Sequence, residues 1–411
     1  MRCWLLPAGK DSKLNRERMI LLVLLFFVVL LIFPSIDKVK FAPGADEGYY
    51  LYYSSTINAH GITAMRDLFS WYLSQSMHWF FPNPLRIGYI LIASIWSLAF
   101  GNSFISLAYL SFLAYLIFII TNYLFCAHLF NKKIALLFSF LIAFSPLSIA
   151  MARRALTDSM ANLFICTSIW LFLLWLKKPR SISKKLWFAS VFILAVLTKE
   201  SLLLLLVPFF IFWLMSKYLF GQKLFWSDIL SIAGLVGAVI YLIYYFAAGD
   251  MGKALAIPLL VSAYVKANSY ALAYGSGPWF RYIIDYLLLS PWVMILAIGY
   301  LFTYLISYKY DENVSYLICF FLVCYFMFSF ITKNVRYVMF LDMPTRLFAV
   351  FMLEKLTQRW HKIKLPHACV IAVLLIAFMD YLCFSNFFIK EGIYDPMSDF
   401  LLRAEHIIPW R

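Results

Sequence analysis

The chain is a succession of long unbroken apolar stretches parted by short polar ones, with no sustained alternation. Runs such as Leu21–Phe33 and Leu202–Leu214 read as membrane-spanning helices. Lipid offers no partner to backbone N–H and C=O groups, so only helices and closed barrels satisfy them internally. A barrel would instead show segments of about ten residues with period two. A span takes roughly 17–25 apolar residues, and the pattern predicts eleven: 19–36, 104–130, 134–150, 159–176, 186–197, 201–216, 229–247, 282–306, 315–331, 337–353 and 368–386. The pair 186–197 and 201–216 is short and parted by Thr198-Lys199-Glu200, so it is either one long helix or a hairpin of two short ones. Residues 87–100 form an apolar stretch too short to cross comfortably.

Composition strengthens this picture. Of 411 residues, 64% are hydrophobic and 13% charged, against about 45–50% and 25% in soluble domains. No soluble core hides that much apolar surface. The predicted fold class is all-α: a polytopic transmembrane helical bundle with a helical first outer loop. Nucleic-acid binding, a secreted disulfide scaffold and intrinsic disorder are set aside. The net charge of +15 becomes a topological signal, because Lys and Arg gather in short cytoplasmic loops. With 87–100 kept as a non-spanning helix on the outer side, segments 1–18, 131–133, 177–185, 217–228, 307–314 and 354–367 are cytoplasmic and sum to +13. Segments 37–87, 151–158, 198–200, 248–281, 332–336 and 387–411 then lie outside and sum to +4. If 87–100 crosses and the hairpin is kept, the Lys-rich loops fall on the wrong side.

The chain therefore divides into a cytoplasmic N-terminus (1–18), a transmembrane module (19–353) with its outer loop 37–87, and a final piece (354–411). That last piece holds a cytoplasmic loop, the last span and a short outer tail. The first apolar segment lacks a small-residue cleavage site after Pro34-Ser35-Ile36 and is expected to be a retained anchor. No cysteine falls in an outer loop and no CxxC pair offers a metal site. The sequon Asn313-Val314-Ser315 falls on the cytoplasmic side. No internal repeat and no low-complexity tract is visible.

Several ionisable groups are left unexplained by topology, and they gather on the outer side. In Gly44-Ala45-Asp46-Glu47-Gly48-Tyr49-Tyr50-Leu51-Tyr52-Tyr53, a helix starting near Asp46 puts Asp46, Tyr49, Tyr50 and Tyr53 on one face. A carboxylate above aromatic rings suits a sugar: the base takes a hydroxyl proton while rings stack on the C–H face. The alternative is a helix cap with an interfacial tyrosine belt. The segment His78 to Arg86 holds two prolines that fix an extended approach, with Arg86 either on a lipid phosphate or snorkelling. Ala152-Arg153-Arg154-Ala155-Leu156-Thr157-Asp158 sets Arg153 or Arg154 as a phosphate clamp beside Asp158, which could equally cap a helix. Lys199 and Glu200 sit as a pair at the bend between two apolar stretches, where intramembrane charges are functional candidates. Arg336 and Tyr337 precede Asp342 and Arg346, whose i, i+4 spacing reads as mutual neutralisation inside the bundle.

In their order these motifs resemble the GT-C superfamily of integral-membrane glycosyltransferases. The likeness is to the group of protein O-mannosyltransferases and the lipid A aminoarabinose transferase (glycosyltransferase family 39-like). It rests on Asp46-Glu47, on Pro82, Pro84 and Arg86, on Ala152, Arg153, Ala155, Leu156 and Asp158, on Leu197-Thr198-Lys199, and on Arg336-Tyr337 with Pro344. The resemblance implies a polyprenyl- or dolichyl-phosphate-linked sugar as donor and a hydroxyl acceptor on a protein, lipid or glycan. It implies Asp46 as general base with inversion at the sugar carbon, Glu47 in support and Asp158 positioning donor or acceptor. Arg86, Arg153 or Arg154, Lys199 and Arg336 would hold the leaving phosphate. Tyr49, Tyr50, Tyr53, Glu200 and Tyr337 are the remaining substrate-side candidates.

The chain departs from that pattern in its short tail and in Glu200 directly after Lys199, where it would partly neutralise the lysine. No cofactor is expected with certainty: a divalent metal is left open and no metal ligand is assigned. The outer loop 248–281, with Tyr264, Tyr270, Tyr274, Gly275, Gly277 and Trp279, is a candidate lid or acceptor platform. The expected setting is a bacterial or archaeal plasma membrane, or the ER membrane in a eukaryote, with the site on the outer or luminal face. A lipid or solute transporter or flippase is the competing reading, but it would usually carry an internal repeat and charges near the bilayer midplane. A non-catalytic membrane subunit gives the five motifs no reason to co-occur.

Overall fold

The computed structural model describes residues 12–76, 82–267, 272, 275–307, 310–331, 333–360 and 367–392. Among them the chain is helical throughout. In order come α1 (Ser12–Ile32), α2 (Asp46–His60), α3 (Met65–Ser74), α4 (Ile87–Phe100), α5 (Phe104–Leu129) and α6 (Lys132–Ala143). Next are α7 (Pro146–Ala152), α8 (Asp158–Leu176), α9 (Ile182–Thr198), α10 (Leu206–Tyr218), α11 (Trp226–Ala248) and α12 (Met251–Ala267). The series ends with α13 (Arg281–Leu289), α14 (Pro291–Ile306), α15 (Glu312–Phe328), α16 (Asp342–Trp360) and α17 (Ala368–Phe384). Local chemistry sets many starts: Ser103, Asn131, Ser145, Ser181 and Asp311 each accept a hydrogen bond from the backbone N–H three residues on.

α8 is the axis of the bundle. It packs between α5 and α9, and its apolar window is 78% buried where that of α11 is only 22% buried. Phe172 of α8 meets Phe188 of α9, Phe209 of α10 and Tyr316 of α15, with ring centroids 4.7–5.9 Å apart. The opposite faces of the outer helices expose Phe26, Phe246, Phe302 and Ile306, which suits lipid as solvent. Six described helices are long and apolar enough to cross a bilayer, and the α6–α7 pair, bent by 60°, makes a seventh. This is a multi-pass membrane protein.

Against the eleven predicted spans, the rest are shorter or broken. Residues 282–306 break at Ser290-Pro291 into α13 and α14, because proline offers no N–H to continue the first helix. Residues 337–353 begin as a 3-10 turn, Val335–Leu341, before α16. The α9–α10 stretch is a hairpin. Lys199 is extended (φ −151°, ψ 103°), and Phe209 lies 5.2 and 5.6 Å from Phe188 and Phe192. In one straight helix those rings would be about 30 Å apart at 1.5 Å per residue.

α4 does not cross. Its start, Arg86, reaches Glu200. Its far end leads through Gly101 to Phe104, which stacks on Phe41 of the same outer loop as α2. Trp96 Nε1 donates to the Ser106 carbonyl, so α4 and α5 run back to back. The ion pairs sort accordingly. Lys132–Glu17, Lys133–Glu354 and Lys185–Asp228 join segments predicted cytoplasmic. Arg86–Glu200, Arg154–Glu47, Lys199–Asp158 and Arg336–Asp46 join segments predicted outer. None of these pairs joins a segment predicted cytoplasmic to one predicted outer.

Candidate active site

α2 begins at Asp46, with Ala45 as its N-cap and no side-chain cap bond. Asp46 and Glu47 fill its first turn, where the helix dipole favours carboxylates. Gly48 makes the turn before them possible: a Cβ there would fall 1.8 Å from the Pro43 carbonyl oxygen. With the loop folded this closely, the Ala42 N–H donates to Glu47 Oε2 at 2.8 Å. Arg154 grips the same carboxylate with two bonds, Nε to Oε1 at 3.0 Å and Nη2 to Oε2 at 2.9 Å. Glu47 is buried, so both its oxygens are committed.

Arg153 points elsewhere. Its Nε donates to the Ser35 carbonyl at 3.1 Å and its Nη2 donates to the same oxygen, while its guanidinium lies 5.2 Å from the Phe384 ring. It ties α7 to the end of α1 and to α17. Of the two arginines offered as a clamp, Arg154 contacts the Asp46–Glu47 turn, while Arg153 is turned to Ser35 and Phe384.

The centre of the cluster is Asp158, the first residue of α8; the N-cap position before it is Thr157, which makes no side-chain cap bond. Lys199 Nζ donates to Asp158 Oδ1 at 2.9 Å, and Arg336 donates to Oδ2 from Nε at 3.1 Å and from Nη2 at 2.6 Å. Lys199 also donates to the Arg336 carbonyl at 3.3 Å and sits 5.1 Å from the centre of the Tyr337 ring. On its outer side Arg336 reaches Asp46 at 3.5 Å. The side chain of Asp158 is 1% exposed, that of Arg336 11% and that of Asp46 35%. The cluster thus grades from a closed interior carboxylate, through two cations, to one open carboxylate. Asp158, Asn162, Lys199 and Arg336 also line a narrow crevice of about 10 Å³.

Glu200 does not pair with Lys199, as the sequence suggested. Adjacent side chains at an extended apex point to opposite sides, so Glu200 accepts from Arg86 Nε at 3.1 Å and from Asn83 Nδ2 at 2.7 Å. Arg86 also donates to the Tyr50 hydroxyl. Burial opposes the charge on Arg86, but Glu200, Tyr50 and Asp46 outweigh it, and its pKa rises well above the ordinary arginine value. α4 and α9 touch at Gly88, where a Cβ would meet Leu197 Cβ at 3.0 Å; only a bare Cα allows this approach.

The tyrosines separate into two kinds. Tyr50 and Tyr53 are fully buried: Tyr50 packs edge-on against Tyr89 at 4.9 Å, and the Tyr53 hydroxyl donates to the Pro82 carbonyl at 2.7 Å. Burial pushes both hydroxyls above the ordinary tyrosine range, so they act as hydrogen-bonding props. Tyr49 is half-buried, 6.2 Å from Trp71, and is the member of the predicted aromatic face left open.

Sequence reasoning missed Asn83, although it sits between the two prolines already singled out. It also missed Asp380 and Ser290. Arg346 pairs with Asp342 as expected (2.8 Å), but further donates to Asp380 Oδ2 at 2.6 Å, to Ser290 Oγ at 2.9 Å and to the Leu141 carbonyl at 2.8 Å. A lone Asp in an apolar span was the available signal. In the candidate lid, Met251–Ala267 is helical, and the Trp279 carbonyl is held by Tyr325 at 3.0 Å and Ser329 at 2.9 Å. His78, Tyr270 and Tyr274 lie outside the described residues. Among the described residues no group of three or more His, Cys, Asp or Glu side chains gathers in a form that would hold a metal.

Residues 84–245 match the family described as dolichyl-phosphate-mannose-protein mannosyltransferase. That stretch includes Arg86, Arg153, Arg154, Asp158, Lys199 and Glu200. The chain superposes on the archaeal oligosaccharyltransferase AglB from Archaeoglobus fulgidus, solved with an inhibitory peptide and a dolichol-phosphate. The TM-score is 0.59 at 14% identity, over 93% of this chain and 56% of that one. It also superposes on ArnT from Cupriavidus metallidurans bound to undecaprenyl phosphate, with a TM-score of 0.55 at 16% identity, over 86% and 62% of the two chains. The chain has the GT-C fold. No curated protein matches it in sequence. The chain spans a little over half the length of the solved proteins it matches. Within the GT-C fold, the cluster around Asp158 joins the first outer loop, the α8 start, the hairpin apex and the 3-10 turn before α16.

Proposed function

We propose that this protein is a membrane glycosyltransferase that moves a sugar from a polyprenyl- or dolichyl-phosphate donor to a hydroxyl acceptor on the non-cytoplasmic face. The observation that carries the reading is the pairing of an open carboxylate, Asp46, with a cation, Arg336, that a buried carboxylate holds in place. Two of the solved proteins sharing the fold carry a lipid phosphate, dolichol-phosphate in one and undecaprenyl phosphate in the other.

In the proposed reaction a carboxylate oxygen of Asp46 takes the acceptor hydroxyl proton. The acceptor oxygen forms its bond to the sugar carbon from the face opposite the phosphate, so the configuration inverts. The bond from that carbon to the phosphate oxygen breaks, and the lipid phosphate leaves with the electron pair. Arg336 and Lys199 stabilise the charge that develops on the phosphate. Asp158 holds these two cations and does not itself meet the substrate. Glu47 fixes the start of α2 through Arg154, while Arg86 and Glu200 brace the hairpin apex. Tyr49 and Tyr337 flank the site as ring surfaces.

The test is transfer from polyprenyl-phosphate sugars by the purified protein in liposomes. Asp46→Asn is expected to lower turnover by about 10²-fold or more. A well-folded Asp46→Asn protein with full activity would end the proposal. ATP-independent movement of the lipid across the bilayer without sugar transfer would favour the transporter reading instead.

A further inference from the structure

Three cations of the cluster already hold carboxylates of their own chain, and the contacts are unequal. Arg154 binds a buried Glu47 with two bonds near 3 Å, and Lys199 binds a buried Asp158 at 2.9 Å. Arg336 holds Asp158 at 2.6 Å but Asp46 only at 3.5 Å, and Asp46 is the one partner with a third of its side chain open. A long, half-exposed ion pair is the weakest in the set. An incoming anion will therefore displace this contact before the others.

From this we infer that Asp46 is a latch as well as a base: it occupies the outer edge of Arg336 until the donor's phosphate replaces it there. The inference rests on the glycosyltransferase reading and adds an order to it. Before the donor arrives, the Asp46 carboxylate is turned to a guanidinium instead of to an acceptor hydroxyl. Once phosphate oxygens take that edge of Arg336, Asp46 is released beside the acceptor hydroxyl. The base is thus armed only when a leaving group is seated, which protects the donor from water and makes donor binding precede acceptor activation. Asp158 keeps its grip on Arg336 through Nε and Nη2 while Nη2 exchanges its second, longer contact, Asp46, for phosphate.

A latch competes with the ligand, whereas a base alone does not. The measurement is the affinity for undecaprenyl phosphate, which carries the phosphate and lipid but no sugar, titrated into the full-length protein in nanodiscs. Asp46→Asn and Asp46→Ala are both expected to bind it about fivefold tighter than wild type, although both lose transfer activity. Asp37→Asn, which removes an exposed carboxylate from the same loop, is expected to leave the affinity unchanged and so controls for general charge. If wild type binds and both Asp46 variants bind equally or more weakly, the latch is wrong while the enzyme reading stands. The latch is equally wrong if Asp37→Asn tightens binding as much. If folded wild type binds no polyprenyl phosphate at all, the donor assignment falls and the latch with it.

Discussion

Two arginine–carboxylate clusters lie along the same bundle, and they differ in kind. Around Arg346, the carboxylates Asp342 and Asp380, the Ser290 hydroxyl and the Leu141 carbonyl close every side, and all three charged side chains are 6% exposed or less. Around Arg336, Asp158 is closed off at 1% exposure, while Asp46, 3.5 Å from the same Nη2 atom, is 35% exposed. The residue types are the same. What separates a strut from a site is whether one member of the set can exchange its partner for something arriving from outside. Arg346 links α16 to α17 and to the end of α6, and its burial keeps it from any ligand. Arg336 presents one edge outward at the end of the bundle.

Breaking each cluster should tell them apart. The largest effect is expected from Arg346→Met, which leaves Asp342 and Asp380 buried without their cation. A loss of about 3–5 kcal/mol is the usual consequence of removing one partner of a buried pair. It would be read as a steep fall in thermal stability in detergent; unchanged stability would remove Arg346 from the frame of the fold. Next comes Asp158→Asn. Lys199 and Arg336 then lose their shared anion and repel one another, so transfer should drop by about 10²-fold, with a smaller change in stability than Arg346→Met. Equal damage to stability by both variants would erase the distinction between strut and site. The smallest change is Tyr53→Phe, which removes only the hydroxyl bonded to Pro82. A loss of about 0.5–1.5 kcal/mol in stability is expected, with transfer activity within about twofold of wild type, since Tyr53 props the loop and faces no substrate.

Much of the fold was readable from apolar run length. Spans such as 104–130 and 159–176 appear as α5 and α8 within a few residues, and residues 87–100 form α4 with the bounds expected of that short helix. The count of spans was less readable, because hydropathy is blind to breaks such as Ser290-Pro291 and the 3-10 turn at Val335–Leu341. At the site, the gathering of Asp46, Asp158, Lys199 and Arg336 was legible from charges that defied the topological trend. The pairing was not. Sequence proximity suggested Lys199 with Glu200, yet an extended residue sends neighbours to opposite sides, and Lys199 found Asp158 while Glu200 found Arg86. Nor does sequence distinguish Arg153 from Arg154, since adjacent residues in a tight turn differ only in direction.

The hairpin at Lys199 has a metrical consequence. Near its start α9 is tied to α11 by Lys185 and Asp228, and near the apex Leu197 packs on Gly88 of α4. The number of residues in α9 therefore works as a ruler that sets how deep the Lys199 ammonium stands. Each residue added between Phe188 and Thr198 would shift it by about 1.5 Å and turn it by roughly 100°. Within this scaffold the reach of the lysine is written in helix length as much as in its own side chain.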